Sequence, residues 1–133
     1  MCANSYPSFI DQLGSGDTLV REALDAATEI LLPLFVIGEL DAGFRGGTRY
    51  AENAAILQRF LNKPGVREVA SGHETARIYG EIKDGLKRAE TPIPANDLWI
   101  SASAIEHAAT LVTYDRRFTV IRRLKLWRHA PTG

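Results

Sequence analysis

Short apolar runs alternate with helix-length amphipathic stretches along this chain, and no pattern in it constrains the fold more. "EILLP" (29–33) is a continuous apolar run stopped by Pro33, the signature of a strand buried on both faces. "LFVIGELDAGFRGG" follows at once; it is helical in length, and Gly46-Gly47 ends it. Further on, "VREV" (66–69), "TLVTYD" (110–115) and "LKLW" (124–127) read as strands, as do residues 1–4. Asp17 is positioned to cap a helix bearing Val20, Ala23, Leu24 and Ala27. Thr48 is positioned to cap one bearing Ala51, Ala54, Leu57 and Leu61, broken by Pro64-Gly65. Ser71 and Glu74 have capping-box spacing before Tyr79, Ile82, Leu86 and Ala89. "TPIPAN" cannot be helical, because each proline pushes its predecessor into extended geometry, and Asn96 then caps a helix through Trp99, Ile100, Ala104 and Ile105. Strands alternating with helices predict an α/β sandwich of three layers, with a parallel sheet of four to five strands between helices. Ligands then bind at the carboxyl ends of the strands.

A chain of 133 residues without a dividing linker is expected to form a single domain over 1–133. One cysteine, Cys2, excludes an internal disulfide; with no signal peptide in evidence, a reducing cytoplasm is the expected setting. No apolar run approaches the roughly 20 residues of a membrane span. Net charge is zero, against indiscriminate polyanion binding, but its distribution is uneven. Residues 1–41 hold seven acids and one base, Arg21, whereas residues 116–133 hold six bases and no acid. An acidic front and a basic tail suit a metal site beside a phosphate-binding surface; a solvated charged face is the plainer alternative.

Three acids stand out. Glu39 interrupts an apolar run, Asp97 falls in the first helical turn after the prolines, and Asp115 ends the strand "TLVTYD". Each has an ordinary structural reading alone: a helix-dipole partner, a turn residue, an ion pair. Converging on one strand-end edge, like charges repel unless a cation lies between them. Oxygen donors without His or Cys indicate Mg²⁺ or Mn²⁺ rather than zinc. Asn4 ends the first strand and joins the same edge with an amide in place of a carboxylate.

The segments "ANSYPSF", "VIGELDAGFRGG", "IPANDLWISASAIEH" and "LVTYDRRF" together resemble the PIN-domain family, and particularly the VapC-like toxins of toxin–antitoxin pairs. The family pattern has an acid at each position matching Asn4, Glu39, Asp97 and Asp115, so the chain departs from it at Asn4; a Ser or Thr commonly follows the first acid, and Ser5 fits. The resemblance implies a Mg²⁺-dependent endoribonuclease that hydrolyses RNA phosphodiester bonds with metal-activated water. It also implies a small antitoxin as partner and a homodimer. In that reading Asn4, Glu39, Asp97 and Asp115 are the metal ligands, Ser5 assists them, and Arg116, Arg117 and Arg122 contact RNA phosphates. Pairing with the acidic edge is the other expectation for Arg116 and Arg117. An antitoxin is expected to place its own Arg or Lys near Asp97 and Asp115. Asn4 is expected to leave the nuclease weak or inactive. The alternative is a catalytically silent PIN-domain protein that only binds an antitoxin or RNA.

Overall fold

The structure, a computed structural model, describes residues 2–3, 18–113 and 115–127. The elements run β1 (Cys2–Ala3), α1 (Thr18–Ala26), β2 (Ile30–Pro33), α2 (Leu34–Arg45), α3 (Tyr50–Leu61), β3 (Val66–Val69), α4 (His73–Arg88), α5 (Ala95–Glu106), β4 (Thr110–Val112), a 3-10 helix (Arg116–Val120) and β5 (Lys125–Leu126). The five strands form one sheet in the order β3-β2-β1-β4-β5, and every pair is parallel. Cys2 pairs with Leu31 on one side and Leu111 on the other, so β1 is central. Up to β3 the chain moves outward from β1 in one direction; from β3 it returns to β4 on the far side. Right-handed crossovers therefore put α1–α3 on one face and α4–α5 on the other, the three-layer α/β arrangement that the alternation predicts.

All four residues of β2 are buried, as a strand covered on both faces requires. β3 is an edge strand that exposes Arg67 and Glu68. Helix α2 turns Val36, Leu40 and Phe44 inward at spacings of four, which leaves Glu39 on its exposed side. Across the sheet, α4 packs on α5, with the rings of Tyr79 and Trp99 stacked at 4.2 Å between centroids. Phe118 from the 3-10 helix has no exposed surface and anchors that helix in the core.

Four local expectations are corrected. The cap of α3 is Arg49, not Thr48, and it makes no side-chain capping bond. That helix buries Leu57 and Phe60, while Ala51 is exposed. Helix α4 is capped at Gly72, whose N–H donates to Thr75 Oγ1 at 2.9 Å, so Ser71 and Glu74 form no box. Thr75 is wholly buried and donates in turn to Glu106. Helix α5 begins after Pro94, extended at φ −58° and ψ 149°, so Asn96 lies inside the first turn instead of capping it. At the three helix starts the path by which the chain enters, set at α5 by Pro94, outweighs the local cap preference. The expected cap at Asp17 lies outside the described residues.

Removing the Phe118 ring is expected to cost about 3–5 kcal/mol, the cost of an aromatic cavity in a close-packed core. Denaturant unfolding of Phe118→Ala measures it; a loss under about 1 kcal/mol would mean the 3-10 helix is not anchored in the core.

Candidate metal centre

Two of the three acids singled out above meet in space. Asp97 is in the first turn of α5, where the free N–H groups of the helix end favour a carboxylate. Its residue is buried, 7 % exposed. Ser101 Oγ donates to the Asp97 carbonyl at 2.8 Å and ties that turn to the buried face of the helix. Asp115 arrives from β4, three residues beyond the strand end, and caps the 3-10 helix instead of ending the strand. Its N–H donates to Thr113 Oγ1 at 3.0 Å, and its Oδ1 accepts the Arg117 N–H at 2.9 Å. The hydroxyl turn at Thr113 and the carboxylate cap together fix where Asp115 points.

Arg117 joins the two acids. Its Nε donates to Asp115 Oδ2 at 2.9 Å and to Oδ1 at 3.2 Å, and its Nη2 donates to Oδ2 at 2.6 Å. The same Nη2 lies 3.2 Å from Asp97 Oδ2. This second approach is a charge contact without hydrogen-bond geometry: Asp97 Oδ2 is buried and accepts no hydrogen bond from the described residues. The two carboxyls respond in opposite directions. Burial pushes Asp97 above the ordinary carboxylate range, opposed by the Arg117 charge and reinforced by that of Asp115. Hydrogen bonds from Arg117 hold Asp115 below that range. Functional sites use such separation of neighbouring carboxyls, and so do structural ion-pair networks.

Glu39 is exposed on α2 and forms no hydrogen bond or ion pair with another described residue. Among the described residues no three His, Cys, Asp or Glu side chains gather to hold a metal. Asn4, Ser5 and Tyr114 lie outside the described residues. Arg116 is exposed, and Arg122 lines a cleft of about 350 Å³ with Glu81, Gly85 and Val120. Neither forms an ion pair with Asp97 or Asp115, and the cation beside those acids is the chain's own Arg117. Sequence reasoning missed Thr113, although Thr two residues before Asp in "TYD" is a recognisable hydroxyl-turn spacing. The donors present fit a hard divalent cation: two carboxylates facing one point, one of them with a buried oxygen that lacks a donor.

A carboxyl raised by burial costs stability when ionised, and the cost is lost as pH falls through its folded pKa. Asp97→Asn is therefore expected to stabilise the metal-free protein at pH 7. The gain should shrink as pH falls through the raised pKa and vanish below the ordinary carboxylate range. Denaturant titrations with EDTA at pH 7 and pH 3.5 measure it; an Asp97→Asn variant less stable at pH 7 would show that the Arg117 attraction outweighs burial.

The sheet and the acidic pair can be set against known proteins. The structure superposes on VapBC2 from Rickettsia felis bound to a DNA fragment from their promoter, with TM-score 0.83 and 23% identity, covering 95% of this chain and 96% of that one. For VapBC-1 from nontypeable Haemophilus influenzae the TM-score is 0.81 at 21% identity, covering 96% and 95%. For VapBC-5 from Mycobacterium tuberculosis, a member of the VapBC family of toxin-antitoxin systems, it is 0.65 at 20%, covering 75% and 82%. These likenesses establish the shared fold. No curated protein sequence gives a significant match. The PIN domain profile matches residues 10–124, a stretch that includes Glu39, Asp97 and Asp115, and the chain belongs to the PIN domain family.

Proposed function

We propose that this chain is a metal-dependent endoribonuclease and the toxin half of a toxin–antitoxin pair. One observation carries the proposal: on a PIN fold, a buried Asp97 oxygen without a donor faces Asp115 across a single cation position. The partner half is supported by the similar structures, which include VapBC assemblies and a member of a toxin-antitoxin family. The cognate partner is a small antitoxin, and the working form is a homodimer in the cytoplasm. No helix among the described residues is long and apolar enough to cross a membrane.

Asp97 and Asp115 would hold Mg²⁺ or Mn²⁺, with Glu39 and the amide of Asn4 as further oxygen donors from α2 and the end of β1. Bound there, the ion would lower the pKa of water and neutralise charge on a phosphate oxygen. Asp97 suits this work because its carboxylate is shielded from solvent and already oriented by the first turn of α5. Asp115 is oriented by Thr113 and by the N–H of Arg117. Ser5 would hydrogen-bond the attacking water or a ligand. Arg116, Arg117 and Arg122 would contact the RNA backbone and hold the scissile phosphate near the acids. The amide of Asn4 ligates a hard ion without contributing charge and cannot take a proton, so it weakens the site. That amide also favours a second reading, a silent PIN-domain protein that binds its antitoxin or RNA without cleaving.

The test is RNA cleavage with Mg²⁺ or Mn²⁺ by this chain, by Asn4→Asp and by Asn4→Asp combined with Asp115→Asn. Asn4→Asp is expected to gain roughly 100-fold, about 2.7 kcal/mol of barrier, and the added Asp115→Asn to abolish the gain. A folded Asn4→Asp protein that cleaves no RNA would reject the nuclease and leave the silent binder. Separately, replacing Arg116 and Arg122 by Ala is expected to flatten the salt dependence of RNA binding by about 0.7 unit per contact. An unchanged slope would assign both arginines to structure or to a protein interface.

A further inference from the structure

We propose that Arg117 is a built-in substitute cation: its guanidinium holds the Asp97–Asp115 pair closed, and a divalent ion enters only by displacing it. The proposal rests on the metal-centre reading above and adds a competitor that the chain itself supplies. Asp115 makes the case by arithmetic. An ionised carboxylate offers about four lone-pair sites. Here Oδ1 accepts from the Arg117 backbone N–H and from Nε, at 2.9 and 3.2 Å, and Oδ2 accepts from Nε and Nη2, at 2.9 and 2.6 Å. With the guanidinium in place, three N–H groups, that of Nε forked across both oxygens, engage all four positions and crowd out an ion that needs oxygen at about 2.0–2.1 Å. On the Asp97 side, Nη2 stands 3.2 Å from the buried oxygen, at the point where an incoming cation would meet both acids.

The fit is asymmetric, and this suits a displaceable group. Nη2 satisfies Asp115 but makes no hydrogen bond to Asp97, so the buried oxygen keeps an unmet demand that a metal would fill better. The Arg117 side chain is 58% exposed and can swing into solvent without unpacking the core. Its backbone N–H stays on Asp115 Oδ1 whatever the side chain does, so the 3-10 helix keeps its cap in a side-chain variant. The swing would also free the guanidinium for other anions, which makes the metal-free state the one in which it is withheld.

The test is Mn²⁺ affinity by titration calorimetry on the full chain, with no RNA present, comparing the unaltered protein with Arg117→Ala. Arg88→Ala, which removes an exposed arginine paired with Asp84 on α4, controls for the general loss of one positive charge. Arg117→Ala is expected to bind Mn²⁺ about tenfold more tightly than the unaltered chain, and Arg88→Ala to bind within twofold of it. Should Arg117→Ala fold poorly, Arg117→Gln removes the charge and the fork while keeping a long side chain, with the same expected direction. Equal or weaker binding in the arginine variants would overturn the proposal while leaving the metal centre standing. Tighter binding that survives added Asp115→Asn would overturn it too, by placing the ion elsewhere. Failure of every variant to bind Mn²⁺ would overturn both this proposal and the metal-centre reading.

Discussion

A carboxylate oxygen buried without a hydrogen-bond donor raises the free energy of a fold unless a cation stands beside it, and Asp97 Oδ2, which has no donor among the described residues, imposes that condition here. The arrangement around it meets the condition in steps. Pro94 starts α5 so that Asp97 falls in its first turn, near the partial positive charge of the helix end. β4 and the Thr113 turn then bring Asp115 and Arg117 to the same edge. The guanidinium is the cation that the chain itself provides, and its contact with Asp97 is a partial remedy, close enough in charge but wrong in geometry.

The sheet explains why the pair lies at an edge where loops diverge. β1 is central, and the order of the strands reverses between β1 and β4. Helices in parallel α/β units run against the strands, so α5 begins at the carboxyl edge of the sheet, the edge on which β4 ends. Loops on either side of a reversal point diverge and leave a crevice. A polar group placed there costs little in packing, whereas the same group in the middle of β2, where every residue is buried, would need partners of its own.

Much of this was legible in the sequence, and what was not has physical reasons. "EILLP" announces its buried strand, and Pro33 does end it. The apolar spacing of Val36, Leu40 and Phe44 already places Glu39 off the buried stripe, although the surrounding run "LFVIGELDAGF" makes it look enclosed. Thr48, Ser71 and Asn96 carry capping side chains, yet the entering chain path puts Arg49, Gly72 and Pro94 at the cap positions, so cap preference alone does not locate these helix starts. Asp97 and Asp115 could be picked out by position. Whether Arg117 would turn back onto them or outward to a phosphate could not, because both roles use the same side chain and the choice depends on the 3.2 Å approach of segments twenty residues apart in sequence.

In the proposed centre Asp97 and Asp115 form one side of a divalent-cation site, which Arg117 occupies in the ion's absence. The decisive measurement is a crystal structure of the full chain grown with Mn²⁺, with data collected at the manganese absorption edge. The account requires an anomalous peak at about 2.0–2.2 Å from an oxygen of each carboxylate, with the Arg117 guanidinium turned away. A structure with Arg117 still bridging both acids and no anomalous peak between them would contradict it.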